Sequence, residues 1–290
     1  AGDPRLTAAQ AEAARQALAV ADLWLDPVTS FSVPGVSRSA WTRVEWIDET
    51  LPAWKHICDP IAENASRAMS EAMQAQLSEG GLHLPDEMAG LARGLSSMVP
   101  KMAAMAFAAQ ISSALTGMAK EAFGTFDAGL PLGEEAATAL LPTNLAAFAD
   151  GLDVPFDEIM QFAAARECAQ ARLFFSVPWL RHDLQLAIER YAREISLDED
   201  AIMEAAQSVN PQDPTSLQEA MSGGVFAAEP TDSQRRAQER LETLLALIEG
   251  WTEVVTFDAT APYLPHAQQL QEMVRRRRVT GSSGELLLRD

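Results

Sequence analysis

The stretch from Ile159 to Leu180 constrains the fold more than any other part of the sequence. It reads IMQFAAARECAQARLFFSVPWL, and a helix that is apolar on nearly every side normally lies inside a protein. Its middle nevertheless carries Arg166, Glu167 and Gln170. Charged side chains are rarely buried without a partner. We therefore predict a central core helix whose three polar residues have partners elsewhere in the chain.

These polar residues have the spacing of a zinc-binding motif. In His-Glu-x-x-His, two imidazoles one helical turn apart hold a zinc ion, and the intervening glutamate activates the metal-bound water. Here the five residues are Arg-Glu-Cys-Ala-Gln, so only the glutamate, Glu167, is present. A site assembled from histidines distant in sequence stays an alternative. The chain has four, and no two of them lie within one helical turn: His56, His83, His182 and His266.

Composition and periodicity predict a mainly α fold. Alanine and aliphatic residues dominate and only 7% of the residues are aromatic, which favours helix over sheet. We expect a multi-helix bundle in which helical residues exceed half the chain. Two early helices are Leu6–Leu25, capped by Thr7, and a helix from Ala40 that Ser39 caps. Residues 124–144 mix Gly, Pro and short apolar runs, and we expect at most a small β-hairpin there, around Gly129–Leu132 and Ala139–Pro142.

The length of 290 residues allows one large domain or two small ones. We predict one helical domain over residues 1–290. The alternative is a division into two lobes, N-terminal helices over residues 1–84 and a core over residues 85–290. The flexible sequence SEGGLHL at Ser78–Leu84 would then connect the two lobes.

The charge and the cysteines restrict partners and compartment. A formal net charge of −19 works against binding to nucleic acid or to an anionic membrane. The uncharged segment Met102–Ala119 is diluted by small and polar residues, so we expect a core helix rather than a bilayer span. Cys58 and Cys168 form no CxxC pair, which suggests a reducing compartment. We predict a cytoplasmic protein whose partner the sequence does not identify, with a homo-oligomer as an open alternative.

A second candidate position is Glu249, on the regular helix Arg235–Phe257. It belongs to a row of acidic residues on one side of this helix, which is typical of a solvated face. At roughly 100° per residue, however, Glu249 lies only about 40° from Leu245, at the border of the buried arc. Two interpretations therefore stay open: an exposed acidic face, or a carboxylate in a partly buried cleft. The apolar stripe that defines the buried arc is Leu241, Leu244, Ile248, Trp251 and Val255.

The segments around both candidate positions resemble a known family. RECAQARLFFSVPWLR, LETLLALIEGWTEVV and VRRRRVTGSSGE are similar to an uncharacterised, mainly actinobacterial family of zincin-like hydrolases, also described as zinc-dependent metalloproteases. SAWTRVEWIDETLPAWKHICDPI and VPKMAAMAFAAQISSAL resemble it as well. The resemblance extends from about Leu18 to Glu285. It implies that the natural chain continues past residue 290.

The family pattern assigns roles to four positions. In members with the intact motif, two histidines bind zinc, the next glutamate is the catalytic base, and a glutamate in a Leu-x-Glu-Gly element is the third ligand. By this resemblance Glu167 corresponds to the catalytic base and Glu249 to the third ligand, whereas Arg166 and Gln170 occupy the histidine positions. A guanidinium stays protonated and cannot ligate zinc, and an amide oxygen is a poor ligand.

The resemblance therefore implies a zincin-like fold with a degenerate metal site. We predict no bound cofactor, impaired catalysis and a role that the sequence does not define. One alternative is an active metal-dependent hydrolase whose ligands lie elsewhere in the chain. Others are a scaffold that binds a peptide or protein in the active-site cleft, and a purely structural subunit.

Arg166 also suggests what replaces the metal. A guanidinium can form two hydrogen bonds to one carboxylate. If the family geometry persists, Glu249 points toward the helix face that carries Arg166 and Gln170. We predict an Arg166–Glu249 ion pair at the position of the zinc, with a further hydrogen bond from the Gln170 amide. The alternative places Arg166 in solvent and Glu249 on an exposed acidic face.

Overall fold

Helices dominate the structure. The computed structural model describes residues 3–32, 35, 37–79, 105, 108–127, 129–132, 137–194 and 231–279. Helices cover more than half of the 290 residues, which confirms the predicted mainly α fold. The elements in chain order are α1 (Ala8–Leu25), β1 (Ser37–Ala40), α2 (Arg43–Glu79), α3 (108–121), β2 (Ala137–Leu140), α4 (Pro142–Ala149), α5 (Phe156–Ser176), α6 (Pro178–Glu194), α7 (Asp232–Thr260) and α8 (Ala267–Val279).

The first two helices begin at reciprocal capping interactions. The Thr7 hydroxyl accepts the backbone N–H of Gln10 at 3.2 Å, and the Gln10 side chain accepts that of Thr7 at 2.9 Å. Thr42 and Glu45 form the same arrangement at the start of α2, with distances of 3.2 Å and 2.7 Å. The predicted Thr7 cap is confirmed. The predicted cap at Ser39 is wrong, because Thr42 and Glu45 start the helix later and Ser39 lies in β1.

The central core helix predicted from the sequence is α5. Every residue from Phe162 to Phe174 is buried, as expected for a helix that is apolar on nearly all sides. It packs against α1, α4, α8 and β2. The hydrophobic core joins its side chains to Leu18 and Leu25 of α1 and to Leu270 of α8. Nearly all of α5 is therefore enclosed by other elements, and so are its charged groups.

A small parallel sheet borders α5. β1 pairs with β2 in parallel, with Ser37 opposite Ala137. The hairpin predicted around Gly129–Leu132 and Ala139–Pro142 is therefore wrong, although a strand does form at 137–140. Its partner lies in the first quarter of the chain instead. Parallel strands need a long crossover rather than a tight turn, so no local turn signal marks this pairing in the sequence.

By packing, the chain divides into two compact units. The first comprises Ala1–Lys55, Leu115–Leu186 and Arg240–Arg289, and it contains the sheet, α5 and the core described above. The second comprises mainly His56–Ala114 and Ala187–Glu239. Within it, α2 and α6 approach each other, and the His56 ring lies 3.4 Å from the Glu189 carboxylate. The alternative lobe boundary near residue 84 lies outside the described residues.

Among the helices that the structure describes, none is long and apolar enough to cross a lipid bilayer. The most deeply buried of them, α5, carries Arg166, Glu167 and Arg172 in its middle. Charges at the centre of a helix are costly in hydrocarbon. Inside this protein they have polar partners instead.

One prediction concerns Gly124, which forms an isolated bridge with Leu140 of β2. A Cβ at this position would lie 2.4 Å from a Glu167 carboxylate oxygen and 2.7 Å from the backbone oxygen of Ala139. Gly124→Ala should therefore lower the free energy of unfolding by about 1–3 kcal/mol, because the close packing must shift. Urea denaturation measures the change.

Gly117→Ala is the matched control for this substitution. Gly117 lies in α3, and nothing lies within 4 Å of a Cβ built there. The free energy of unfolding of this variant should rise by about 0.5–1 kcal/mol, because alanine has a higher helix propensity than glycine. A Gly124→Ala protein that is as stable as the unmodified chain would contradict the close packing.

Candidate functional site

The three polar residues singled out in the sequence all lie inside the protein. Arg166 is 6% exposed, Glu167 is 3% exposed and Gln170 is 1% exposed. The all-round burial of α5 places them there. Each group must find its partner inside the protein, because a charge buried without one is costly.

Arg166 of α5 pairs with Glu249 of α7. Its Nη2 atom donates to Glu249 Oε1 at 2.9 Å and to Oε2 at 3.1 Å. The side chains are 7% and 19% exposed, respectively. This confirms the predicted ion pair, and it shows that Glu249 turns away from a solvated acidic face. The stripe that positions α7 is buried as predicted at Leu241, Leu244, Ile248 and Val255, while Trp251 is half-buried.

A second arginine, Arg278, reaches the same carboxylate. Its Nη1 atom donates to Glu249 Oε2, and its side chain is 25% exposed. Sequence reasoning missed this residue as part of the site. The basic run Arg275–Arg278 was the available signal, but a run that ends a helix is also typical of a solvated terminus. Glu249 is thus held by two cations from two helices, α5 and α8.

Glu167 has a different set of partners. Its carboxylate accepts the backbone N–H groups of Thr125 at 2.9 Å, Phe126 at 3.1 Å and Ala139 at 3.2 Å. Burial raises its pKa from 4.5 to about 7, and these hydrogen bonds act in the opposite direction without cancelling the shift. Both oxygens are thus engaged by the backbone, so Glu167 connects α5 to β2 and to the segment at 124–126.

Gln170 does not complete the arrangement that the sequence suggested. Its amide nitrogen is buried and finds no hydrogen-bond acceptor among the described residues. The hydrogen bond from Gln170 to Glu249 that we predicted is therefore wrong. Arg166 and Arg278 already occupy both oxygens of that carboxylate.

More charged groups surround the Arg166–Glu249 pair. Asp127 accepts Arg277 Nη1 at 3.1 Å and the backbone N–H of Phe123 at 3.1 Å. Burial acts to raise the pKa of Asp127, but Arg277, Arg166 and Arg278 outweigh it and leave the pKa below its ordinary value. Carboxylates and guanidinium groups therefore alternate through this region, and each carboxylate has a cation close by.

Glu253, one turn after Glu249, completes this charge cluster. Arg275 binds it with two hydrogen bonds of 3.1 Å and 2.9 Å. Those hydrogen bonds lower the pKa of Glu253, and the charges of Arg166 and Arg278 act in the same direction. The lowered pKa values keep Asp127 and Glu253 ionised at neutral pH, and arginines balance both carboxylates.

Histidines do not supply a metal site in the described residues. His56 and His266 each face a glutamate, Glu189 and Glu158 respectively, and His182 is exposed. Among the residues that the structure describes, no three His, Cys, Asp or Glu side chains are grouped so that they could hold a metal ion.

The residues present at the motif positions do not fit the zinc that the resemblance implies. A cationic guanidinium stands at the first histidine position and an amide at the second. The glutamate expected as third ligand already binds two arginines. The glutamate expected as base holds three backbone N–H groups. The arrangement can hold helices together, and within the described part of the chain it offers a metal ion no group of three ligand side chains.

We expect Arg166→Ala to lower the free energy of unfolding by about 3 kcal/mol. Breaking a buried ion pair typically costs about 3–5 kcal/mol, and we expect the lower end because Arg278 still pairs with Glu249. Chemical denaturation measures the change. Arg15→Ala is the control, since its pair with Glu12 is largely exposed and should contribute much less to the free energy of unfolding. Equal costs for both variants would contradict a buried pair.

The raised pKa of Glu167 predicts a pH dependence of stability. A carboxyl with a higher pKa in the folded protein favours folding below its unfolded pKa, near 4.5, and this advantage is lost as the pH rises through about 7. This shift of the Glu167 pKa corresponds to a contribution of about 3 kcal/mol at most to the free energy of unfolding. Unfolding free energies measured from pH 5 to 8 should therefore fall more steeply for the unmodified protein than for Glu167→Gln. Parallel profiles would show that Glu167 does not titrate in this range.

Comparisons with known proteins show the family through one match and the fold through another. No curated protein matches the chain. A crystal structure of a protein from Chloroflexus aurantiacus, described as a candidate hydrolase with a novel fold, is similar with a TM-score of 0.57 and 17% sequence identity. The match covers 95% of this chain and 69% of that one, and at this identity it shows the fold alone. The model of a family described as zincin-like metallopeptidase matches residues 1–290, and the chain therefore belongs to the zincin-like metallopeptidase family.

Proposed function

We propose that this chain is a zincin-like protein without metal-dependent hydrolase activity, in which the motif positions stabilise the fold. The observation that carries the proposal is the buried ion pair between Arg166 and Glu249. In this one contact, the residue at the first histidine position, Arg166, binds the glutamate expected as the third zinc ligand, Glu249.

Electrostatics supports this conclusion. A zinc ion near Glu249 would have to approach the guanidinium of Arg166. At an effective dielectric constant of about 20, a unit charge at roughly 4 Å from a dication costs about 8 kcal/mol before screening. Arg278 adds a second positive charge at the same carboxylate. The site repels a dication, although Glu249 by itself would attract one.

The position of Glu167 supports the same function. In a metallopeptidase the glutamate of the motif takes a proton from the metal-bound water, so it has to reach that water. Here the Glu167 side chain is buried, and its two oxygens accept three backbone N–H groups. A pKa near 7 would suit a general base, but a base also needs access to the proton. We therefore propose a structural role for Glu167 in place of the catalytic role that the resemblance implies.

Metal content separates this function from its rivals. An active hydrolase with ligands elsewhere in the chain requires a metal at one equivalent per chain. A scaffold that binds a peptide or protein requires none, as does the structural role proposed here. Only the hydrolase hypothesis therefore makes a different prediction for purified protein.

We expect the purified full chain to contain no stoichiometric zinc when it is analysed by mass spectrometry for metals. A chelator should leave the thermal unfolding midpoint unchanged, because proteins held together by structural zinc unfold when the metal is removed. Added zinc should likewise produce no shift of the midpoint. One equivalent of zinc in the purified chain would overturn the proposal, and its disappearance in Glu249→Ala or Glu167→Ala would place the metal at the motif rather than elsewhere in the chain.

A further inference from the structure

α7 presents an apolar face to solvent. Leu247 is 63% exposed and Val254 is 60% exposed, whereas a surface helix normally places charged and polar side chains on its outward side. At about 100° per residue, they share one arc of about 100° with three small exposed residues. We call these five residues the α7 outer face: Thr243, Ala246, Leu247, Gly250 and Val254. The charged residues of the same segment, Glu249 and Glu253, lie outside this arc and bind arginines.

Gly250 lies at the centre of this face. Glycine weakens the interior of a helix, yet none of the described residues would lie within 4 Å of a Cβ built at this position. The packing inside one chain therefore does not require a glycine here. A glycine does allow a second backbone to approach closely. Its place between the exposed side chains of Leu247 and Val254 suits contact with another helix.

The charges on either side of the face complement each other. Arg240 comes ten residues before Gly250 and Asp258 comes eight residues after it, and both charged side chains are exposed. The two are eighteen residues apart, which is about five helical turns, so they lie on the same side of α7. If two copies of α7 pack antiparallel with Gly250 at a two-fold axis, Arg240 of each copy faces Asp258 of the other. An interface of this symmetry has to be self-complementary, and these charges meet that condition.

The same arrangement matches the apolar residues. Leu247 lies three residues before the axis and Val254 lies four residues after it, so Leu247 of one copy meets Val254 of the other, twice by symmetry. Both side chains would leave water, which favours association. Arg240 also binds Asp183 of its own chain at 2.9 Å. A guanidinium has five N–H donors, so it can bind Asp258 of the second copy as well.

We propose that the α7 outer face is the interface of a homodimer, in which the two α7 helices pack antiparallel and cross near Gly250. The occupant is a second copy because the face supplies both members of each contact, the apolar pair and the ion pair. Two chains of net charge −19 repel each other at a distance, but at an ionic strength of about 0.15 M charges farther apart than about 8 Å are largely screened. The inference concerns the outer side of α7, and it does not depend on whether the chain binds a metal.

A contact along one helix is small. The segment from Arg240 to Asp258 is about 28 Å long at the rise of an α-helix, so the contact lies at the lower end of the sizes of specific interfaces. We therefore expect a dimer that dissociates on dilution rather than a permanent one.

Sedimentation equilibrium of the purified full chain, over a wide range of concentrations at about 0.15 M salt, tests the interface. Val254→Glu places a charge on the outer face. Val44→Glu is its matched control, since Val44 is a valine of α2 with a similar exposure of 54%. Asp258→Arg reverses one member of the proposed ion pair, and the combination of Asp258→Arg with Arg240→Asp exchanges the two charges. Circular dichroism and thermal unfolding establish that each variant is folded.

The average mass of the unmodified protein should rise from that of one chain toward that of two as the concentration increases. Val254→Glu should raise the dissociation constant of the dimer at least about tenfold, because a charge is buried without a partner at two symmetry-related places. Asp258→Arg should also weaken the dimer, because the new arginine faces Arg240. Exchanging both charges should restore the dissociation constant to within a few fold of the unmodified value, and Val44→Glu should leave it unchanged.

Four results would each overturn the inference. A protein that stays monomeric at all concentrations has no such interface, whatever else covers the face. A dimer that Val254→Glu does not weaken uses another surface. Equal weakening by Val254→Glu and Val44→Glu would show a general effect of added negative charge. Failure of the charge exchange to restore the dimer would exclude the antiparallel arrangement about Gly250.

Discussion

The burial of α5 on all sides is the constraint on which the site depends. A charged residue on a surface helix can be solvated, whereas every charged residue between Phe162 and Phe174 must be satisfied by the protein. Arg166 pairs with Glu249, and Glu167 accepts backbone N–H groups. Arg172, 1% exposed, pairs with Asp22 and Asp26 and donates to the carbonyl oxygen of Asp22. Each of these contacts fixes another element against the central helix.

These contacts constrain how the helices pack against one another. A buried ion pair often contributes no more than apolar residues of similar volume would, yet removing one partner is strongly destabilising. The arginines therefore determine which helix faces meet. α7 must present Glu249 to Arg166, and α8 must present Arg278 to Glu249. Any shift of either helix would leave a charge without its partner. Polar contacts therefore select one arrangement of the helices, which apolar packing alone would specify less strictly.

A contact can be predicted from the sequence when both of its partners are side chains that stand out in the sequence. Arg166 and Glu249 carry opposite charges at positions that the family resemblance identifies, and their contact was predicted, although periodicity alone left Glu249 between an exposed face and a partly buried cleft. The partners of Glu167 are backbone N–H groups, which every non-proline residue possesses. The sequence therefore does not reveal which backbone N–H groups donate to Glu167. The parallel pairing of β1 with β2 lacks a local turn signal for a similar reason. Arg278 was visible within a basic run, but nothing in that run distinguishes it from Arg276.

The charge balance at Glu249 is compatible with the function proposed for this chain. One zinc ion carries two positive charges, and the guanidinium groups of Arg166 and Arg278 together carry the same total. A carboxylate at this place is balanced by positive charge in either case, as a buried carboxylate requires. Guanidinium groups, however, offer no open coordination position at which a water could be activated. In the function proposed here, Arg166 supplies positive charge to Glu249 where a metal would otherwise do so, but it cannot activate a water. Family membership and the proposed lack of activity are therefore compatible.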